Sequence, residues 1–177
     1  VDGGVVAIVK GAVDVLLHRL SPEQEPFIAE FEEKANEMAS HGYRTLGYAV
    51  RQFQELPQVS REEEIESSLI FIGFAGMIDP PREEVKQAVA ECRNAGIIPV
   101  MITGDHKLTA KAIAEQLGIL SSENELVVSG PELKRMTPDE FNEKVQDIRV
   151  YARVSPEQKL RIINALQSKH QFVAMTG

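Results

Sequence analysis

The chain has 177 residues, with 19 basic and 27 acidic side chains, a net charge of −8 and an apolar content of 43%. That is enough for one good-sized globular domain, or one domain with part of a second, and it argues against general disorder. The acidic balance argues against a nucleic-acid or anionic-membrane surface. No apolar run reaches the ~20 residues of a membrane span, and the lone Cys92 cannot form an internal disulfide, which fits a reducing setting.

Val1 opens without a methionine or signal-peptide pattern, directly ahead of a strand-like run over 5–9. Phe27, Ile28, Phe31, Ala35 and Met38 form one apolar stripe and predict a helix over 21–40, with Gly42 where a C-terminal glycine belongs. A strand follows over 45–50. The stretch 57–67, with Arg61-Glu62-Glu63-Glu64, reads as a solvated linker or helix start. From Ser68 the pattern alternates. Strands are expected over 69–77, 98–102, 126–129, 150–152 and 172–175. Helices are expected over 83–95 (closed by Gly96), 108–117 (ended by Gly118), 138–148 and 156–168. Short strands of near-continuous apolar character belong to a parallel sheet covered by helices on both faces. The division expected is therefore 1–67 and 68–177. The last strand runs into Gly177 with no helix after it, so the chain reads as a piece of a longer protein.

Two junctions carry the chemistry. Val100-Met101-Ile102-Thr103-Gly104-Asp105 is an apolar run ending on a hydroxyl, a glycine and a carboxylate, with a helical pattern from Lys107. A strand feeding such a turn offers a hydroxyl and free N–H groups where a helix start favours anions, beyond the carboxyl end of a strand, where sites in these folds lie. The second junction is Tyr151-Ala152-Arg153-Val154-Ser155-Pro156-Glu157-Gln158-Lys159. Ser155 is a natural N-cap, Pro156 takes the first helical position and Gln158 completes a capping box, which fixes Lys159 in the first turn. A lysine there faces an already positive helix end, so an anion is expected to offset it. His18, His41, His106 and His170 have no metal-ligand spacing, and no metal ligand is assigned.

Thr103-Gly104-Asp105 followed by Lys159 on Ser-Pro-Glu-Gln-Lys resembles the haloacid-dehalogenase-type (HAD-like, Rossmann-like α/β) phosphorylation domain of P-type ATPases. Asp79-Pro80-Pro81-Arg82 resembles the family's hinge motif, and Met175-Thr176-Gly177 the opening of its Gly-Asp-Gly-x-Asn-Asp segment. Lys10-Gly11-Ala12 and Gly42-Tyr43-Arg44-Thr45-Leu46 resemble two motifs of its nucleotide-binding domain. The motifs run in the family's order across essentially the whole chain and are most similar to the type II, calcium- or sodium/potassium-pump-like branch.

The resemblance implies a C-terminal piece of an α+β nucleotide-binding domain (1–67) followed by a phosphorylation domain (68–177). Thr103 and Gly104 would hold the transferring phosphoryl group and Lys159 would neutralise its charge. Asp105 and Arg153 would contact nucleotide or organise the turn, Lys10 and Gly11 would lie at the adenine, and Arg44 would reach the phosphates. Asp79, Pro80, Pro81 and Arg82 would act as the hinge. Val13-Asp14 departs from the Pro-Glu pair often found after Lys-Gly-Ala. The parent would be an ATP- and magnesium-dependent cation pump, of which this would be a cytoplasmic portion, with actuator and membrane domains as partners and no nucleic acid.

The family's Asp-Lys-Thr-Gly-Thr nucleophile motif does not occur here, nor does an actuator Thr-Gly-Glu motif, and the magnesium-binding aspartate would follow Gly177. The isolated chain is therefore expected to be inactive and to hold neither ATP nor magnesium tightly. Its sheet would lack the nucleophile strand, leaving edges open to self-association. The competing readings are a stand-alone phosphatase of the same superfamily, which needs an Asp-x-Asp motif not present here, and a receiver- or flavodoxin-like anion-binding module.

Overall fold

The computed structural model describes residues 4–58, 62–122 and 124–176, so Val1, Arg61 and Gly177 of the expectations above lie outside it. The chain divides into two units, Val1–Asp79 and Pro80–Gly177. Among the described residues the strands form two three-stranded sheets, one in each unit.

In the first unit, β1 (Val5–Gly11), β2 (Arg44–Phe53) and β3 (Ile70–Met77) form an antiparallel sheet with β2 in the centre. One face is covered by α1 (Val13–Leu17) and α2 (Ile28–Ser40), and the short α3 (Glu62–Ile65) precedes β3. Val13, Leu16, Leu17, Ala35, Ala49, Leu69 and Phe71 make the core between sheet and helices. α1 packs tightly because Gly47 lies beneath it: a Cβ there would sit 2.9 Å from Leu16 Cδ1. The helix expected over 21–40 begins as a 3-10 segment, Pro22–Phe27, because Pro26 has no N–H to give an α-helical ladder. Gly42 takes a φ of 85° just past α2, as its position predicts.

The second unit contains α4 (Glu83–Asn94), β4 (Met101–Thr103), α5 (Lys107–Leu117), β5 (Leu126–Ser129), α6 (Gly130–Arg135), α7 (Pro138–Lys144), β6 (Ile148–Ala152) and α8 (Pro156–Ser168). Its strands are parallel in the order β4-β6-β5, with β4 at one edge. Val89, Ala110, Ala114, Ile119, Val150 and Ala152 form one core, drawn from α4, α5 and β6. Leu133, Phe141, Val145, Ile162 and Ala165 of the α6–α8 region pack with Val128, Ile148 and Tyr151 in the other. The parallel sheet flanked by helices matches the expectation from its short apolar strands.

Several boundaries differ from the sequence expectation. The division falls after Asp79 and not after residue 67, because the run 69–77 pairs antiparallel with β2 and buries Phe71 against α1 and α2. β4 starts at Met101 because Pro99 cannot donate to a ladder. The helix from Pro138 ends at Lys144, freeing Ile148 to begin β6. Residues 172–175 carry no strand pairing, and Phe172 is fully exposed. α1 and α6 were not foreseen: α1 spans 5 residues, too few for a periodic stripe, and Gly130-Pro131 reads locally as a turn.

Glu125, at the amino end of β5, joins four elements. It accepts hydrogen bonds from the backbone N–H groups of Ser121 and Ser122, and lies 3.4 Å from both Arg93 of α4 and Arg149 of β6. Burial alone would raise its carboxyl, but those N–H donors and the two guanidinium groups outweigh it and hold it below the usual carboxylate range.

Tyr151 is fully buried, and its hydroxyl finds no hydrogen-bond partner among the described residues. Burial raises the phenol and keeps it neutral. Tyr151→Phe should therefore leave stability unchanged or raise it by up to about 1 kcal/mol. Phe141→Ala should remove about 3–5 kcal/mol, because that ring is 1% exposed and meets Tyr151 edge-on. Urea titration reads both. For Glu125 the folded carboxyl lies below its unfolded value, so its contribution is complete above the unfolded value of about 4.3 and is lost as pH falls below it. Glu125→Gln should accordingly lower stability at pH 7 and flatten its fall as pH drops below about 4.3, measured by thermal unfolding at descending pH.

Candidate functional site

Parallel pairing brings three strand ends into one row. Thr103 of β4 stands opposite Ala152 of β6, and Ala152 opposite Ser129 of β5. The next residues, Gly104, Arg153 and Gly130, therefore leave the sheet side by side at its carboxyl edge. This is the edge at which open α/β sheets place ligands.

At β4, the Thr103 hydroxyl donates to Asp105 Oδ2 at 2.9 Å and accepts from the Asp105 N–H at 3.1 Å. The turn is thus closed on itself before any ligand arrives. A Cβ on Gly104 would meet nothing within 4 Å, so the glycine opens onto free space instead of packing against the chain. His106 then caps α5, its Nδ1 accepting from the Leu108 N–H at 3.4 Å. With no metal-ligand spacing, the sequence assigned His106 no role; the cap was legible from its place just before the helix.

At β6, Arg153 adopts a φ of 51°, a left-handed conformation uncommon outside glycine. Ser155 caps α8 with Pro156 in the first turn and Gln158 closing the capping box, as its sequence predicts. Lys159 is exposed in that first turn, its N–H bonded to the Ser155 carbonyl at 3.1 Å.

β5 contributes a third group that sequence reasoning missed. Ser129 and Glu132 form a second capping box at the start of α6, and Glu132 holds Lys107 through both carboxylate oxygens, at 2.7 and 2.8 Å. Partial burial would raise the Glu132 carboxyl, but the Lys107 hydrogen bond, the Ser129 N–H and hydroxyl, and the Lys107 charge together bring it down to about 2. The signal for it was available in Ser129-x-x-Glu132, the same box found at Ser155.

The first unit holds the other candidates. Lys10 lies directly across from Tyr48, and Gly11 across from Gly47. The strand alternation puts Lys10 on the face away from the helices, with Val6, Ile8, Tyr48 and Ile70, all of which are exposed. Arg44 begins β2 at an even spacing from Tyr48 and is exposed as well. Tyr48 was not singled out from sequence; only strand register reveals it beside Lys10. Asp79, Pro80, Pro81 and Arg82 span the division between the units, and Arg82 is the N-cap residue of α4. Lys10, Gly11 and Arg44 thus belong to one unit, and Thr103, Gly104, Asp105, Arg153 and Lys159 to the other. Among the described residues, no three His, Cys, Asp or Glu side chains cluster as a dedicated metal site requires, and no helix is long and apolar enough to cross a membrane.

Residues 1–84 match the family model described as P-type ATPase, cytoplasmic domain N. The chain is 43% identical to a calcium-transporting ATPase of Lactococcus lactis, over 99% of its own length and 21% of that protein's. It is 42% identical to a calcium-transporting ATPase of Bacillus cereus and 42% identical to a cation-transporting ATPase of Synechocystis, in each case over 99% of the chain and 20% of the relative. The chain spans about a fifth of the length of the curated relatives it matches. The domain-N match covers the antiparallel unit, and the similarity to calcium- and cation-transporting P-type ATPases continues through the parallel unit over nearly the whole chain.

Proposed function

We propose that this chain is the nucleotide-handling and phosphorylation portion of an ATP-driven cation pump, its parallel unit being a HAD-like phosphorylation domain without the nucleophile strand. The observation that carries this reading is the in-register ending of β4 and β6. It sets a hydroxyl-glycine-carboxylate turn and a capped helix start bearing Lys159 at one sheet edge.

In this reading Thr103 and the Gly104 N–H receive the phosphoryl oxygens, and Lys159 neutralises charge that develops on them. To donate to phosphate, the Thr103 hydroxyl turns away from Asp105, which keeps the turn closed until then. Arg153, in its left-handed conformation, follows β6 at the same edge. In the first unit, the exposed face shared by Ile8, Tyr48 and Lys10 suits an aromatic base with a cation at its margin, which fits ATP. Gly11 keeps that strand end slim, and Arg44 supplies a fork for phosphate oxygens. Asp79-Pro80-Pro81-Arg82 serves as the hinge, two prolines limiting the backbone at the crossing. Magnesium, when bound with the nucleotide, screens phosphate charge; no ligand for it is assigned to this chain.

The sequence contains no Asp-Lys-Thr-Gly-Thr motif, so the 177 residues alone are inactive in this reading, and the nucleophile, actuator and membrane parts belong to the rest of the pump. The open edge of β4 leaves the isolated chain able to self-associate through strand pairing.

The test uses the full-length protein with radiolabelled ATP or acetyl phosphate. An acid-stable, hydroxylamine-labile phosphoenzyme is expected. Lys159→Ala and Thr103→Ala should each slow its formation on the order of 100-fold or more. Gly104→Ala should also slow it, while leaving stability unchanged or raised by up to about 1 kcal/mol, since a Cβ meets no protein atom there. No label in the unaltered protein, or undiminished label in Lys159→Ala, would overturn the assignment.

A further inference from the structure

We propose that the segment Ser129-Gly130-Pro131-Glu132 is a positioning bracket that sets the Thr103 turn and the Lys159 turn relative to each other. The segment belongs to neither site-bearing strand. Among the described residues β5 pairs only with β6, and β6 separates it from β4. Yet it grips both turns from one place, and the proposal rests on the phosphorylation reading above.

The grip on the first turn runs through charge. Lys107, two residues beyond Asp105, reaches over to Glu132, which accepts from its ammonium with both oxygens, at 2.7 and 2.8 Å. Glu132 is itself fixed, accepting at 2.7 Å from both the N–H and the hydroxyl of Ser129. Lys107 therefore holds the start of α5, and with it the Thr103-Gly104-Asp105 turn, to the end of β5.

The grip on the second turn is steric and hydrogen-bonded. Gly130 is buried, and a Cβ on it would lie 2.2 Å from the Arg153 carbonyl oxygen and 2.8 Å from Gln158 Oε1. Only a glycine lets the two backbones approach this closely. Gln158 Nε2 donates to the Gly130 carbonyl at 2.7 Å, while its Oε1 accepts from the Ser155 N–H at 2.9 Å. Gln158 thus does two jobs, capping α8 and tying its first turn to the start of α6 just beyond β5. The left-handed Arg153 is the residue against which Gly130 is pressed, and such strain persists where the surroundings enforce it. Glu132 and Gly130 are two residues apart, so a shift in one grip is transmitted to the other through a single turn of backbone.

Lys107, Glu132, Gly130 and Gln158 act here by positioning and do not touch the phosphoryl group. The bracket predicts a loss in maximal rate without a matching loss in substrate affinity. The test compares Lys107→Met, Lys107→Arg and Gly130→Ala. In the 177-residue chain, amide NMR spectra should show Gly104, Asp105 and Gly130 shifting in Lys107→Met and returning in Lys107→Arg. Gly130→Ala should shift Arg153 to Lys159. In the full-length protein, Lys107→Met should lower the maximal rate of labelling from acetyl phosphate on the order of 10- to 100-fold. The half-saturating concentration should stay within about twofold, and Lys107→Arg should stay within about threefold of the unaltered rate. Unmoved amides, an unchanged rate in Lys107→Met, or an equal loss in Lys107→Arg would overturn the bracket. Because Gly130→Ala risks misfolding, the two Lys107 variants decide the matter without it. An unaltered protein that takes no label would instead overturn the phosphorylation reading, and the amide shifts would still decide whether the two turns are mechanically joined.

Discussion

Strand β6 is the constraint on which the second unit depends. Its residues serve two cores at once: Ile148 and Tyr151 pack with α7 and α8, while Val150 and Ala152 pack with α4 and α5. A strand buried on both faces is apolar at its packed positions, Arg149 being the one charged residue and paired with Glu125, and its position between β4 and β5 then fixes the register of both neighbours. The alignment of Thr103, Ala152 and Ser129 follows directly. A one-residue slip would send Thr103 to the opposite side of the sheet, so the alignment of residues at the carboxyl edge is held in place by hydrophobic burial several residues away.

What could be read from the sequence was what local rules decide. The Ser155 cap, the Pro156 start and the Gln158 box specify the beginning of α8 without any knowledge of its surroundings. The Thr103-Gly104-Asp105 turn was likewise visible, because an apolar run ends there and a helical pattern begins. What could not be read was pairing. Residues 69–77 look like a strand for a parallel sheet, yet they join β2 antiparallel, and only that choice moves the unit boundary to Asp79. Tyr48 was invisible for the same reason: its place beside Lys10 is a fact of register between strands far apart in sequence. Residues 172–175 have the composition of a strand and no pairing, since composition cannot supply a neighbour.

Both ends of β5 are flanked by a glutamate that ties them to other elements, Glu125 just before the strand and Glu132 in α6 just after it. At the amino end Glu125 accepts from the 121–122 loop and meets Arg93 and Arg149. At the carboxyl end Glu132 accepts from Ser129 and Lys107. β5 is short and, among the described residues, lies at an edge, so backbone pairing on one side holds it weakly. These two carboxylates supply the fastening that hydrogen bonding to a second strand gives elsewhere, and they do so with charge-assisted bonds, which are shorter and stronger than neutral ones.

The same arrangement distinguishes the two lysines at the carboxyl edge. Lys107 comes first in α5, close to the glycine turn, and by position alone would be the obvious partner for an anion. Its charge is already matched by Glu132, so an arriving phosphoryl group would have to compete with a carboxylate held by two Ser129 donors as well. Lys159 is in the opposite situation. It is exposed in the first turn of α8, where the helix end is itself positive and a cation is poorly placed. An anion binding there gains from the lysine and from the helix end together, and relieves the repulsion between them. Sorting the two cations in this way leaves Lys107 to structure and makes Lys159 available for charge that appears only during the proposed phosphoryl transfer, when stabilisation accelerates it.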